Sequence, residues 1–234
     1  MRVFVVKKPN ILSVIAVILA VCIALFALGT PMIVYAVRTS SGTSTIVIDA
    51  GHGGVDAGVV GRTTGMKESE LNLEIAFLLG DLLKGLGFSV VYTRTNDTML
   101  TTVTSDTRKR SDMFSRGKII NSARADVVVS IHMNYFPSDV RRGAQVFFAR
   151  RDERSFSLAK CVQDMLNVLN SEHTKREYSP LTADKYILSC SSAASIIVEC
   201  GFLSNPPDEK LLQDPQYKAA LAEKIAQGIC AYLG

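Results

Sequence analysis

Short β-type runs and helical stripes of apolar residues alternate along most of the chain. Five runs rich in Val and Ile are bounded by turn residues and predict strands at 45–50, 88–93, 126–131, 144–149 and 195–200. Several runs are apolar on both faces, for example residues 46–48, which is typical of a sheet covered by helices on both sides.

Apolar positions three and four residues apart predict a helix after the first strand. Its stripe ends at Gly87 and consists of Leu71, Ile75, Leu78, Leu82 and Leu86. Further helical windows cover 106–123, 153–170 and 214–233, and the last opens with Asp214 as a cap before Pro215. The βαβ order predicts one α/β domain, a twisted and mostly parallel sheet flanked by helices, with ligands at the carboxyl ends of the strands.

The N-terminal segment contains an apolar stretch that is long enough to cross a membrane as a helix. No charged residue occurs from 9 to 37, and a helix of residues 11–28 would span about 27 Å, close to the hydrocarbon thickness of a membrane. Arg2, Lys7 and Lys8 precede it and only Arg38 follows closely, so the positive-inside rule keeps the N-terminus cytoplasmic. We expect a signal anchor or signal peptide at 1–38, a polar linker at 39–44 and an exported domain at 45–234, on the extracytoplasmic face of the membrane.

Cleavage of this segment is left open by the sequence. Residues 34–36 read Val-Tyr-Ala, which resembles a small-x-small cleavage site, but the apolar run is longer than the core of an ordinary signal peptide. A retained anchor is the preferred interpretation.

Composition and charge narrow the class of protein. The 234 residues include 47% hydrophobic and 21% charged residues, which excludes a disordered chain and a small disulfide scaffold. Four of the 26 basic residues lie in 1–44, where there is no acidic residue, so the exported part has equal numbers of basic and acidic side chains. A formally neutral domain argues against a nucleic-acid partner, and the basic stretches at 108–110 and 141–142 are interpreted as solvated faces.

Cysteine spacing indicates neither a metal cluster nor a disulfide framework. Cys161, Cys190, Cys200 and Cys230 are scattered without CxxC spacing. We expect free, buried thiols, with pairing of Cys190 and Cys200 as the alternative.

Two histidines and two glutamates collect at the carboxyl edge of the predicted sheet. His52 follows the first strand, His132 the third and Glu199 the fifth, while Glu68 lies where the loop after the first strand enters a helix. Three His and Glu ligands describe a catalytic zinc site, and a remaining carboxylate can serve as general base. His173 stands in a polar stretch and is expected to be exposed.

Each of these residues also has a simpler explanation. A single histidine after a strand is commonly a hydrogen-bonded structural or surface residue. Glu68 near a helix N-terminus would be stabilised by the helix dipole without any function. Glu199 is harder to explain in this way, because a carboxylate directly after the apolar residues 196–198 would be buried and would need a partner or a metal.

Two other ligand classes fit parts of this pattern. The glycine-rich loop at 51–54 could cradle phosphates, but Asp56 stands where GxGxxG needs its third glycine. Nucleotide binding is kept as an alternative. A two-histidine, one-carboxylate iron site shares the ligand set, yet it would need an oxygenase scaffold. Zinc is therefore the preferred metal.

Four ordered blocks resemble the zinc-dependent N-acetylmuramoyl-L-alanine amidases of the AmiC-like catalytic type. They are IDAGHGGVDAG at 48–58, KESELNL at 67–73, the stretch 116–121 leading to ADVVVSIHMN at 125–134, and VECGFLSNPPDEKLL at 198–212. The resemblance implies that residues 45–234 form a zinc amidase domain. It would hydrolyse the amide between the lactyl group of N-acetylmuramic acid and L-alanine, releasing the stem peptide of peptidoglycan.

The same resemblance implies roles for individual residues. His52, Glu68 and His132 would bind one Zn²⁺ per chain, and Glu199 would be the catalytic carboxylate. Asn134, just past His132, would orient that ligand or contact the substrate, with a plain turn residue as the simpler interpretation.

A single catalytic domain behind an apolar segment, without wall-binding repeats, resembles the germination-specific spore-cortex amidases of the CwlD type. GAQVFF at 143–148 and LAKCVQDMLN at 158–167 also resemble that subgroup. Two positions depart from the family pattern: Tyr135, where a small residue is usual, and the segment 190–193, which often carries proline. The resemblance implies a role in cortex maturation, and the alternatives are a vegetative autolysin of the same chemistry or a non-catalytic peptidoglycan-binding module. An activating protein partner is left open.

Overall fold

The computed structural model describes residues 43–234 of the chain. The expected signal anchor or signal peptide at 1–38 and the linker residues 39–42 lie outside the described residues. Between residues 43 and 234, none of the helices has both the length and the apolarity needed to cross a membrane.

A six-stranded sheet with the spatial order β2-β1-β3-β6-β4-β5 forms the centre of the domain. Its strands are β1 Thr45–Ala50, β2 Ser89–Tyr92, β3 Val127–Asn134, β4 Gln145–Phe148, β5 Leu181–Thr182 and β6 Ala194–Phe202. The first four strands in the spatial order are parallel, whereas β4 pairs antiparallel with β6 and parallel with β5. The predicted mostly parallel sheet is confirmed, and β5 was not predicted because a two-residue strand has no detectable periodicity.

Five α-helices accompany the strands in the order expected of a βαβ chain. They are α1 Glu68–Gly85, α2 Arg108–Ala123, α3 Glu153–His173, α4 Pro206–Gln213 and α5 Pro215–Leu233, with a 3-10 turn at Tyr186–Leu188. Four of these helices were predicted. The short α4 was not, although it carries a helix-start signal: the Asn205 side chain accepts a hydrogen bond from Asp208 N ahead of two prolines.

The two faces of the sheet are covered by apolar clusters of different size. The larger cluster joins the sheet to α1, α3 and α5, and the smaller one joins it to α2 and the 3-10 turn. Strand residues alternate between the two clusters, with Ile46 and Ile48 in the larger and Val47 in the smaller. By the same alternation, His132 and Glu199 project from the face of the smaller cluster, beside Val128 and Ile197. The less covered face therefore carries His132 and Glu199.

The described cysteines are free thiols, and the alternative pairing is wrong. Cys200 belongs to the larger cluster and Cys190 packs against the smaller one, so the sheet separates them. The expectation of buried thiols holds for Cys200 only, since Cys161, Cys190 and Cys230 are partly exposed.

Candidate metal centre

The Glu68 carboxylate lies between two imidazole rings at the carboxyl edge of the sheet. Its Oε1 is 3.2 Å from His52 Nε2 and 3.0 Å from His132 Nδ1. Single ligand atoms of the three residues all lie within 4.8 Å of one another. The three side chains that the sequence nominated as ligands are thus brought together.

Strand register explains how residues so far apart in the chain converge. β1 and β3 are neighbours, so the loop after β1 and the carboxyl end of β3 bring His52 and His132 to the same place. Glu68 is the first residue of α1, and its backbone N donates to Val59 O at 2.9 Å, which closes the intervening loop against the sheet. His132 in turn is the direct register partner of Glu199 on β6.

Close packing at Gly51 brings the two histidines together. A Cβ atom at Gly51 would overlap the imidazole of His132, so only glycine leaves room for the ring. His52 itself has a φ of +61°, the left-handed region that non-glycine residues rarely adopt. The surrounding structure must therefore hold this backbone in place.

Backbone and side-chain donors orient the Glu68 carboxylate. Oε1 accepts from Met133 N at 3.0 Å and Oε2 accepts from Val59 N at 2.8 Å. Burial alone would raise the pKa of Glu68, but hydrogen bonds and charge from His132 and His52 outweigh it and lower the pKa. Glu68 is thus an ionised carboxylate, the form that binds a metal.

A second carboxylate fixes the orientation of His52. Asp56 Oδ2 is 2.9 Å from His52 Nδ1, and the other oxygen of Asp56 accepts from Lys109 Nζ at 2.8 Å. Burial lowers the pKa of His52, but hydrogen bonds and charge from Glu68 and Asp56 outweigh this effect, so the pKa is raised overall. Because Asp56 occupies Nδ1, the nitrogen directed toward Glu68 is Nε2, as in carboxylate–histidine–metal arrangements.

A buried arginine ties the backbone of this loop to the sheet. Arg116 is 1% exposed and donates to Asp49 Oδ1 at 2.7 Å, to Asp112 Oδ2 at 2.7 Å and to Ala50 O at 2.7 Å. Its Nη2 also donates to His52 O. Burial lowers the pKa of Arg116, but Asp49 and Asp112 raise it more, so the guanidinium stays charged.

Glu199 has a buried oxygen that is available for chemistry. Its Oε2 has no hydrogen-bond partner among the described residues. Burial raises the pKa of Glu199, and the nearby negative charge of Glu68 adds to the rise while His132 opposes it. A carboxylate with a raised pKa, next to candidate ligands, is suited to proton transfer near neutral pH.

The donor set fits a zinc ion. Tetrahedral zinc with bonds of about 2.0–2.2 Å separates its ligand atoms by about 3.4 Å, close to the spacing of Glu68 Oε1 from each imidazole nitrogen. Two imidazoles and one carboxylate are also the ligand types of catalytic zinc sites, which keep a further position open for water or substrate. An unpartnered Glu199 oxygen nearby matches the need for a proton acceptor.

A cavity of about 190 Å³ adjoins the candidate ligands. Its lining includes the polar side chains of His52, His132 and Arg116 and the apolar side chains of Met113 and Ile187. The mixed lining suits a substrate with both amide and hydrocarbon groups.

The remaining candidates lie at or beyond the end of β3. Asn134 Oδ1 accepts from Tyr135 N at 2.8 Å, as a turn residue would, and its amide nitrogen is available. Tyr135, one of the two departures from the family pattern, is 50% exposed at the carboxyl edge. His173 is exposed at the end of α3, as expected.

Sequence reasoning missed the residues that support the ligands. Asp49 could have been found by the argument applied to Glu199, because it too follows an apolar strand segment and is buried. Lys109 is largely exposed, as the interpretation of 108–110 required, but it also pairs with Asp56. No sequence signal connects Arg116 to Asp49, which is 67 positions away.

Comparisons with known proteins agree with this geometry. The family model for N-acetylmuramoyl-L-alanine amidases matches residues 46–231. A germination-specific N-acetylmuramoyl-L-alanine amidase of Bacillus subtilis is 36% identical over 190 residues, which cover 80% of this chain and 78% of the relative. The amidase LytC of the same organism is 30% identical over 190 residues, which cover 80% of this chain and 35% of LytC.

Solved structures show the same fold. The CwlD amidase from Clostridioides difficile, in complex with the GerS lipoprotein, matches with a TM-score of 0.77 and 34% identity, covering 82% of this chain and 98% of that chain. An N-acetylmuramoyl-L-alanine amidase from Clostridium difficile 630 matches with a TM-score of 0.72 and 31% identity, covering 82% of this chain and 98% of that chain.

Proposed function

The chain belongs to the N-acetylmuramoyl-L-alanine amidase family, and from that premise we propose that it cleaves peptidoglycan as a zinc enzyme. His52, Glu68 and His132 would bind one zinc ion, and Glu199 would be the catalytic carboxylate. The supporting observation is the convergence of these three ligands beside the unpartnered oxygen of Glu199.

Zinc, when bound, supplies a Lewis acid that polarises the scissile carbonyl and makes water nucleophilic near neutral pH. The protein's own residues hold the ligands and exclude competing arrangements. Asp56 orients the imidazole of His52, and the backbone nitrogens of Val59 and Met133 orient the carboxylate of Glu68.

Glu199 would carry the proton through the reaction. Its carboxylate takes a proton from the attacking water as the new C–O bond forms, and it returns that proton to the nitrogen of L-alanine as the C–N bond breaks. Burial raises its pKa, which brings donor and acceptor closer in proton affinity. The products are the free lactyl carboxylate and a stem peptide with a free amino terminus on L-alanine.

Asn134 would contact the substrate through its amide nitrogen. Its Oδ1 is occupied by Tyr135 N, so Nδ2 is the group left to donate to a substrate carbonyl. It lies two residues past His132, within the same strand.

Substitution of Glu199 and of His132 distinguishes proton transfer from zinc binding. On a soluble fragment that starts near residue 41, Glu199→Gln should keep near-stoichiometric zinc by elemental analysis but lose hydrolysis about 10²- to 10⁴-fold. His132→Ala should lower the zinc content itself. Glu172→Gln, at an exposed position of α3, is the control; normal turnover by Glu199→Gln would remove Glu199 from the mechanism.

The biological setting is proposed to be spore-cortex maturation. The reason is that the match to a germination-specific relative covers most of that relative's length. Expression in a spore former that lacks its own amidase should restore muramic lactam in the cortex, measured by mass spectrometry of muropeptides. Hydrolysis without restored lactam would favour a vegetative autolysin, and binding of intact muropeptide without hydrolysis would favour a wall-binding module.

An activating partner and a membrane location complete the proposal. The CwlD structure contains the GerS lipoprotein, and a lipoprotein acts at a membrane surface, where the apolar segment 1–38 would also place this chain. Purified residues 41–234 should then turn over substrate more slowly than the full chain with its partner. Full activity of the isolated domain would show that no activator is needed.

A further inference from the structure

An arginine is held against an aromatic ring at the carboxyl edge of the sheet. The Cζ atom of Arg62 is 5.8 Å from the ring centroid of Tyr135, and its Nη2 donates to Tyr135 Oη at 3.3 Å. Both side chains are exposed. Among the described residues Arg62 makes no ion pair and no second side-chain hydrogen bond, so most of its N–H donors face solvent.

The loop that carries Arg62 is held rigidly by a glutamate from α4. Glu209 is 1% exposed, and its carboxylate accepts from Thr63 N at 3.1 Å and from Thr64 N at 2.7 Å. A side chain at Gly61 would overlap this carboxylate, so the loop approaches Glu209 as closely as backbone allows. The residues on both sides of Arg62 are therefore fixed before any ligand arrives.

Tyr135 is anchored from its own side. Its backbone N donates to Asn134 Oδ1 at 2.8 Å, and Phe136 N donates to Ser204 Oγ at 3.0 Å. The exposed Tyr135 ring thus projects from a restrained segment and gives the guanidinium of Arg62 a fixed platform.

Both residues lie close to the candidate metal centre. Tyr135 is three residues beyond His132, which limits the distance between their Cα atoms to about 11 Å. Arg62 lies within the loop closed by the pairing of Val60 with Lys67, directly before Glu68. The pair therefore joins the segments that follow two of the candidate ligands.

The chemistry of a pre-oriented arginine identifies what it binds. A planar guanidinium with free N–H groups matches the geometry of a carboxylate and can bind it through two hydrogen bonds. On the substrate, the peptide beyond L-alanine bears free carboxylates, at least at its terminus, whereas the scissile lactyl group is an amide. We propose that Arg62, positioned by Tyr135, is a specificity residue that binds a stem-peptide carboxylate; this rests on the proposed function.

Paired substrates test this subsite. Two synthetic muramoyl peptides of equal length would differ only in whether the residues after L-alanine carry free carboxylates or their amides. For Arg62→Gln we expect KM for the carboxylate substrate to rise about tenfold, with kcat unchanged and with KM for the amide substrate unchanged. Arg62→Lys should raise KM for the carboxylate substrate less than Arg62→Gln does, because lysine keeps the charge but lacks the paired N–H donors of the guanidinium. Tyr135→Ala should have the same kinetic effect as Arg62→Gln.

A matched control comes from the opposite end of α1. Lys84 also lies over a tyrosine ring, 4.9 Å from the centroid of Tyr92, and donates to its hydroxyl. It is about 24 Å along the helix from Glu68. Lys84→Gln should leave the kinetics on both substrates unchanged. Equal effects of Arg62→Gln on the two substrates, or no effect, would overturn the subsite.

Direct binding distinguishes failure of the subsite from failure of the proposed function. Calorimetry with the free stem peptide, in carboxylate and amide forms, needs no turnover. Weaker binding of the carboxylate form to Arg62→Gln supports the subsite even if the chain hydrolyses nothing, in which case the proposed function alone fails. Binding that does not distinguish the two forms in the unmodified protein contradicts the subsite even if hydrolysis is normal.

Discussion

Arg116 donates a hydrogen bond from α2 to the backbone oxygen of His52, the residue whose left-handed φ places its imidazole at the candidate metal centre. The same guanidinium also binds Asp49, Asp112 and the backbone oxygen of Ala50. One buried side chain therefore joins α2, β1 and the loop after β1. This contact turns a locally unfavourable backbone conformation into a stable feature of the fold.

Replacing Arg116 should destabilise the protein strongly. Arg116→Met leaves the buried carboxylate of Asp49 without its charged partner, which typically costs about 3–5 kcal/mol of unfolding free energy. The measurement is urea unfolding of the metal-free protein. Arg110→Met, on the same helix but exposed, should change the free energy of unfolding by less than about 0.5 kcal/mol. Similar small changes for both variants would mean that Arg116 does not hold the loop.

Acidification should destabilise the domain partly through Asp49. Burial raises the pKa of Asp49, but the charge of Arg116 and hydrogen bonds from Ser130 and Thr93 outweigh burial and lower the pKa below the ordinary value of an aspartate. A lowered folded-state pKa gives stability that is complete above the unfolded pKa and is lost as pH falls toward the folded value. The charged groups that face Asp49 are Arg116 and Arg94, and the imidazole of His132 also interacts with it.

Comparison with Asp49→Asn isolates this contribution. The free energy of unfolding, measured from pH 7 to pH 3, should fall more steeply for the unmodified protein than for the variant. The variant should already be less stable at pH 7, because Arg116 keeps its charge without a full partner. Parallel pH profiles would contradict the assignment.

Asp56 should tune metal affinity without being a ligand. Asp56→Asn keeps an oxygen that can face His52 Nδ1 but removes the charge that strengthens the imidazole as a ligand. Loss of such a partner typically weakens metal binding about 10- to 100-fold. Competition with a chelator measures the zinc dissociation constant. Asp184→Asn, in an exposed loop, should have no effect, and an unchanged constant for Asp56→Asn would show that the contact is incidental.

Adding one methyl group at Gly51 should disrupt the metal centre. Its Cβ would overlap the imidazole of His132, and moving that ring separates it from Glu68. We expect Gly51→Ala to lose most of its zinc, measured by elemental analysis, and to unfold at lower urea concentration. Gly85→Ala is the control: a Cβ there meets nothing within 4 Å at the end of α1. It should keep its zinc and gain about 0.5–1 kcal/mol of unfolding free energy.

Local patterns in the sequence determined the class of fold and the location of the chemistry. Hydrophobic periodicity places five of the six strands and four of the five helices of residues 43–234, because burial on a strand or helix repeats along the chain itself. The βαβ order then places the carboxyl ends of β1, β3 and β6 at one edge, which is why His52, His132 and Glu199 could be nominated from the sequence.

Only the tertiary structure decided how those residues are held and what surrounds them. The direction of β4 depends on its pairing with β6, and the contacts of Arg116 with His52 and of Arg62 with Tyr135 join segments more than 60 positions apart. Such contacts leave no periodic trace in the chain, because they depend on how helices and loops pack against the finished sheet. The candidate ligands could therefore be nominated from the sequence, whereas the network that positions them and the proposed subsite beside them could not.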